Sequence, residues 1–414
     1  MDDTPEILLF DDARGDLGPL SDLRASFEQR TGGLTLLERC RAISQRVHVA
    51  VPEALEPVVR ERLGEPQAAR GSVLCLNGRL HADPDLSTRG AFGALGVGHA
   101  LVAADGSLVA ARLEGAAVEA FVAAVEAGSA TFPGGCRTSA TELPLWTRPW
   151  HLLDAARLGA LLDADARAVS REWQRSGKGA ALPQHAASVG SHPVLVHPEA
   201  QVGVGVVLDA SAGPICVGPG AQVGHGSVVQ GPAWIGPRSI VAPRSLLKER
   251  TVLGPQCRAA GEIGSAIFQG CSNKAHDGHL GDALLGEWVN LGAGTVNSNL
   301  LNTYGEVTMR LRPSASMERT GRQFMGCVIG DHAKTAIGTR IMTGSSVGTG
   351  AMWAAGKAVS GAVAPFAWVT DDGERRFRLD KFLEIAGTVM ARRGMSPGTA
   401  VAARLTALHA AAGS

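Results

Sequence analysis

The sequence predicts an α/β domain, then a triangular parallel β-helix built of hexapeptide repeats, then a C-terminal helix. Two observations carry this reading. From Val217 an aliphatic residue returns at every sixth position, through Val223, Val229, Ile235, Val241, Leu247 and Leu253, a period that fits neither a 3.6-residue helix nor plain strand alternation. In the first eighty residues short apolar runs alternate with helical patterns, as in a small α/β unit with a parallel sheet. Glycine supports the repeat, with 53 among 414 residues, concentrated after residue 190 and often directly behind the periodic aliphatic.

The α/β unit opens with Glu6–Phe10, an apolar run consistent with a buried strand, followed by the charged stretch Asp11 to Asp16. Leu34–Ile43 and Ala54–Leu63 read as helices, and Val47–Val51 and Gly71–Leu76 as extended segments. Trp150 to Trp173 is apolar at helical spacing and reads as a linker helix, with a boundary at Ser176–Gly179. The domains are therefore expected at 1–149 (α/β), 150–191 (helical linker), 192–363 (β-helix) and 364–414 (helical cap).

In the β-helix each six-residue unit supplies one side of a triangle, its aliphatic residue pointing to the axis and Gly or Pro turning the corner. An earlier set, Val196, Val202 and Leu208, shares the step, with three extra residues expected to bulge before Val217. The phase resumes at Ile329, Thr335, Ile341, Val347, Trp353 and Val359. Three units per turn give roughly nine or ten coils, and open ends that need caps. Arg378 to about Arg392 reads as an amphipathic capping helix. The period is interrupted at Phe268–His279 and from Asn297 to about Phe324, and such excursions from a regular scaffold are where binding and catalysis tend to sit.

Lys+Arg and Asp+Glu both number 39, which offers no electrostatic footprint for nucleic acid or an anionic membrane. No apolar stretch approaches the ~20 residues of a membrane span, and Met1-Asp2-Asp3 lacks the basic start of a secretory signal, so a cytoplasmic protein is expected. The seven cysteines are scattered and never spaced as CxxC, and are expected to be reduced thiols.

The stretch KAHDGHLGDALLGEWVNLGAGTVNSN, Lys274 to Asn299, resembles the acetyltransferase half of the GlmU-type bifunctional enzymes, which is carried on a left-handed hexapeptide helix. That resemblance implies acetyl transfer from acetyl-CoA to an amino-sugar phosphate such as glucosamine 1-phosphate, in a homotrimer with sites between subunits. It places His276 on the family's catalytic histidine, and His279 where the family has a tyrosine. It puts Asn290 and Asn299 at the sugar, Ala293 where a backbone group meets acetyl-CoA, and Ala355, in the run Ala354-Ala355-Gly356, against the pantetheine arm. Of Arg244, Lys248, Arg258 and Lys274, the last is the first choice for the sugar phosphate.

The chemistry needs such residue types. A protonated amine cannot attack a thioester, so a neutral imidazole within reach is a natural base. The tetrahedral oxyanion then needs donors, which the backbone N–H groups at 292–294, with His279 or Asn290, could supply.

The first unit, standing before a β-helix and opening with ILLFDD, resembles a shortened sugar-nucleotidyltransferase domain of the same family. The family's glycine-rich phosphate loop is absent, although Arg14 keeps an arginine just after the first strand. Asn77 stands where a metal-binding aspartate normally ends a middle strand, leaving Asp11, Asp12 or Asp16 to take Mg²⁺. Weak or absent nucleotidyl transfer is therefore expected. Two alternatives remain: a sugar-1-phosphate nucleotidyltransferase using UTP or dTTP with the β-helix as scaffold, and a non-catalytic sugar-nucleotide-binding regulator.

Overall fold

A computed structural model describes residues 6–65, 71–83, 92–130, 135–177 and 182–412. The expectations for the N-terminal residues 1–3, and for the second half of the boundary at 176–179, lie outside these. The first unit is a six-stranded sheet in the order β2-β1-β3-β5-β4-β6. Its strands are β1 (Glu6–Phe10), β2 (Val47–Ala50), β3 (Ser72–Asn77), β4 (His99–Val102), β5 (Leu108–Glu114) and β6 (Arg137–Ala140). β1 lies between β2 and β3, parallel to both, and every residue of it is buried, which is why it reads as an unbroken apolar run. Helices α1 (Leu36–Ile43), α2 (Glu56–Leu63) and α3 (Ala116–Glu126) accompany the sheet, with Phe121 of α3 meeting Phe10 edge to face at 5.0 Å.

The expected parallel sheet holds for β1, β2 and β3, and β4 and β6 pair in parallel at the far edge. β5 runs antiparallel to both β3 and β4. A tight connection between β4 and β5, where the Ala103 N–H donates to the Ser107 carbonyl, forces that direction, because a parallel return needs a crossover of a dozen or more residues.

A 3₁₀ turn at Pro149–Leu153 leads into α4 (Ala155–Arg175), which Asp154 caps by accepting the Arg157 N–H at 2.9 Å. From Ala187–Val189 to Ala367–Thr370 the chain is the left-handed hexapeptide β-helix, its strands stacked in parallel ladders. The six-residue phase is the axis of the coil. Val217 pairs with Ile235 and Ile235 with Leu253, Val223 with Val241, and Val229 with Leu247, so each coil takes eighteen residues, three sides of six. All seven are buried, each contributing roughly 1.5–3 kcal/mol relative to exposure. Corners need one left-handed residue per side, and where glycine is absent Arg238, Arg244, Arg250 and Gln256 adopt it at φ 55–59°.

The first expected excursion is largely a shortened coil. Ile267 stays paired with Val252 and Lys274 with Ala259, and only a bend at 276–278 departs before His279–Gly281 rejoins the stack. Fifteen residues from Val252 to Ile267 shift the six-residue phase without breaking the ladder. The second excursion is real: Thr308–Met309 and Glu318–Arg319 form a small antiparallel arm, whose base folds Val307, Met309, Leu311 and Met325 back onto the coil.

The nine-stranded ladder presents an apolar outer face that the N-terminal unit covers. Cys216, Trp234, Val252, Ile267, Leu284 and Val328 pack against Leu17, Leu20, Trp146, Trp150 and the buried stripe of α4. Gly33 lies so close to Trp234 that a Cβ there would sit 2.3 Å from the indole. Polar contacts lock the same seam: the Arg30 N–H donates to Gln269 Oε1 at 2.6 Å, and Arg24 pairs with Asp331 and Glu287.

The cap contains two helices where the sequence predicts one, α5 (Leu379–Ala391) and α6 (Thr399–Ala411). α6 has apolar residues around its whole circumference and no capping side chain of its own, since Gly398 precedes it. Instead Glu61 of α2 accepts the Ala400 N–H at 2.9 Å, which returns the C-terminal helix to the N-terminal unit.

Candidate active site

Two glycines open a cavity on one face of the β-helix. Leu247, Ile263 and Leu280 point inward on successive coils, so Leu246, Glu262 and His279 form one outward column. Lys248, Gly264 and Gly281 form the next, and the missing side chains at 264 and 281 leave a floor. The resulting cavity of about 410 Å³ is walled by Lys248, Arg250, His279 and Asn299, and roofed by Arg322 and Phe324 of the second excursion and by Ala155, the first residue of α4.

Its polar groups are held in place. His279 Nδ1 lies 3.5 Å from Glu262 Oε1, and Lys248 Nζ is 3.3 Å from the same oxygen. Asn299 Nδ2 donates to Asp282 Oδ2 at 2.8 Å, and the Arg322 guanidinium reaches the other Asp282 oxygen at 3.4 Å. Burial pulls Arg322 below its ordinary value against the pull of Asp282, yet a guanidinium stays charged at neutral pH. Arg250 Nε donates to Ser265 Oγ at 3.2 Å. Three cations thus surround a floor on which an imidazole and a carboxamide converge, an arrangement able to hold an anionic ligand and exchange a proton with it.

At the end of β1 the carboxylates are already taken. Asp11 accepts the Ser26 N–H at 2.7 Å and the Ala13 N–H at 2.9 Å, and burial pushes it above the ordinary carboxylate range. Asp12 receives Arg79 on both oxygens, at 2.8 and 2.6 Å, and Asn77 Nδ2 at 2.8 Å. Arg14 is exposed and reaches only Ser107 Oγ, at 3.5 Å. Asp16 faces Arg312 at 2.9 Å. These residues do not fit Mg²⁺: both oxygens of Asp11 and Asp12 are occupied by donors, and an internal cation already neutralises Asp12. Among the described residues no group of three or more His, Cys, Asp or Glu could hold a metal ion.

Residues 7–172 match the family model of the sugar nucleotidyl transferases. A bifunctional sugar-1-phosphate nucleotidylyltransferase/acetyltransferase of Sulfurisphaera tokodaii is 30% identical over 113 residues, 27% of each chain. The bifunctional protein GlmU of Methanococcus vannielii is 32% identical over 117 residues, 28% of this chain and 27% of the relative. Over these segments the chain is similar to GlmU-type proteins. The bifunctional protein GlmU of Corynebacterium glutamicum is 29% identical over 170 residues, 41% of this chain and 29% of the relative, so the matches span under a third of these relatives' length. Among solved structures, a putative acetyltransferase of Bacillus cereus overlays with 14% identity and a TM-score of 0.21, covering 56% of this chain and 99% of that one.

The expected site residues divide into three groups. His279 and Asn299 line the cavity. His276 sits on the exposed bend beside it in sequence, is not among the lining residues, and makes no side-chain hydrogen bond among those described for this chain. Lys274 is buried in a core-facing position, its ammonium donating to the carbonyls of Ala260, His276 and Asp277, and burial lowers it to about 8. The third group lies on another side of the coil. Asn290 bridges Asn273 and Lys334 there and accepts from Asn273 Nδ2 at 3.3 Å. Ala293 accepts the Gly338 N–H at 2.7 Å, and Ala336 bonds to Trp353, so Ala293 and the buried Ala355 follow one corner along successive coils.

Sequence reasoning named Lys248 among the cations but missed Arg250, Glu262, Asp282, Arg322 and Arg79. The outward column through Glu262 and His279 is set by the shortened coils, and Arg322 arrives across the second excursion, so neither has a local signal. Arg79 had one: an arginine directly after Asn77-Gly78, where the chain is otherwise apolar.

Proposed function

We propose that this chain is a two-domain transferase whose β-helix moves the acetyl group of acetyl-CoA to the amine of an amino-sugar phosphate in the cavity above Gly264 and Gly281. The observation that carries the reading is the convergence of Lys248, Arg250 and Arg322 around His279 and Asn299. The cations receive the phosphate, with Lys248 and Arg322 in the part given to Lys274 by resemblance. Asn299 addresses a sugar hydroxyl, and a histidine of the 274–299 segment takes the amine proton.

Acetyl-CoA follows the corner of Ala293 and Ala355, with Asn290 on the same side, in a homotrimer whose subunits meet there. Ile337, between the corner residues Ala336 and Gly338, is 79% exposed, a surface that a second copy would cover. The N-terminal unit serves chiefly to brace the coil, with nucleotidyl transfer weak or lost. Among the described residues no helix is long and apolar enough to cross a membrane.

The test is thiol release from acetyl-CoA with glucosamine 1-phosphate. Lys248→Gln and Arg322→Gln should each raise KM for glucosamine 1-phosphate about tenfold or more while altering KM for glucosamine little, as expected for loss of one charge-assisted contact. Absence of thiol release with every amino-sugar phosphate tried would refute the reading. The family match over residues 7–172 favours one second reading, nucleotidyl transfer to a sugar 1-phosphate. Mg²⁺-dependent pyrophosphate release from UTP or dTTP would establish it.

A further inference from the structure

We infer that His279, oriented by Glu262, is the group that takes the proton from the attacking amine. This rests on the acyl-transfer reading above and assigns a residue within it. Glu262 and His279 are register partners on adjacent coils, both on the outer face, so the ladder itself holds carboxylate and imidazole side by side. Glu262 Oε1 faces Nδ1 at 3.5 Å, and the same oxygen receives Lys248 Nζ at 3.3 Å. A carboxylate facing Nδ1 favours the tautomer with the proton there and leaves the lone pair on Nε2.

That second nitrogen points at the floor of the cavity. A Cβ built on Gly281 would lie 2.6 Å from His279 Nε2 and 2.7 Å from Asn299 Nδ2, closer than any side chain can sit, so the two atoms close over Gly281 side by side at the floor of the cavity. Asn299 is itself fixed by Asp282, and a substrate that reaches this floor from the cavity meets the imidazole and the amide together. The remaining charged groups lining the cavity are Lys248, Glu249, Arg250, Asp282 and Arg322, with Glu249 3.5 Å from the Arg250 guanidinium. His276 has no comparable partner to orient it among the described residues.

The step balances as follows. The neutral amine attacks the thioester carbonyl carbon, a C–N bond forms, and the carbonyl electron pair moves onto oxygen. The nitrogen proton passes to His279 Nε2, where the Glu262 carboxylate stabilises the imidazolium. Collapse of the intermediate breaks the C–S bond, and the imidazolium returns the proton to the departing thiolate, giving the amide and the free thiol. His279 is the catalytic residue in this scheme, and Glu262 a positioning residue.

The experiment compares His279→Gln, His276→Gln, Glu262→Gln and Glu262→Asp in thiol release from acetyl-CoA with glucosamine 1-phosphate. His279→Gln should lower kcat by about 10²–10⁴ with KM nearly unchanged, and His279→Ala should regain turnover when imidazole is added. Glu262→Gln should lower kcat less, with recovery in Glu262→Asp. A second readout needs no turnover: ¹⁵N-histidine spectra should show the Nδ1–H tautomer of His279 in the wild type and its loss in Glu262→Gln. A larger kcat loss at position 276 than at 279, no imidazole rescue, or an unmoved tautomer in Glu262→Gln would overturn the assignment. Silence of the wild-type enzyme with all amino-sugar phosphates overturns the acyl-transfer reading and the base role together, and is distinguished by that silence from an active enzyme indifferent to His279→Gln.

Discussion

Arg79 closes both oxygens of Asp12, at 2.8 and 2.6 Å, in a pair with neither side chain open to solvent. Breaking such a buried pair from one side leaves an uncompensated charge, so Arg79→Met should destabilise the protein by about 3–5 kcal/mol in urea unfolding. Millimolar Mg²⁺ should leave the wild-type melting temperature where it is. A rise in Tm with Mg²⁺ would show that this end of β1 binds the ion after all.

The seam between the two units should behave as one cooperative structure. Arg24→Met removes the cation shared by Asp331 and Glu287 and leaves two carboxylates facing each other. The variant should melt in two calorimetric transitions, or in one lowered by about 3–5 kcal/mol of stability, where the wild type melts in one.

Lys274 predicts a pH dependence. Burial lowers it from 10.5 to about 8, so between those values the unfolded chain binds more protons than the folded one, and stability rises with pH. Below about pH 8 both states are protonated and the burial penalty is fully present. Lys274→Met lacks the group. The unfolding free energy of wild type minus that of the variant should grow between pH 8 and 10, by on the order of 1–3 kcal/mol. A flat difference would mean that the three carbonyls compensate the ammonium fully.

The proposed homotrimer is checked by mass photometry at micromolar concentration. Ile337→Glu places a charge in the proposed seam and should shift trimers toward monomers without altering the circular dichroism of the coil. A wild-type monomer would remove the shared corner site.

The coil was legible because its core phase is local: Val217 and the six residues that follow it in register announce each side of the triangle within six positions. What escaped was set over longer distances. Lys274 looks like a free cation in a motif, and only the stacking of Ala259 beneath it shows that the position faces the core. His279 and Asn299 were named from the motif, yet their meeting above Gly281 depends on the shortened coils and on the return of the second excursion. The second capping helix was invisible for a related reason, since the group that caps it, Glu61, lies more than three hundred residues away.

That distant cap bears on how the protein is made. A ribosome delivers α2 hundreds of residues before α6, so the side of α2 that α6 will cover stays bare throughout synthesis of the coil. The N-terminal unit can fold early, but its surface is finished only when residues 399–411 have emerged and Glu61 finds the start of their helix. Nascent chains halted before that point would lack the bond between Glu61 and the Ala400 N–H that released chains carry.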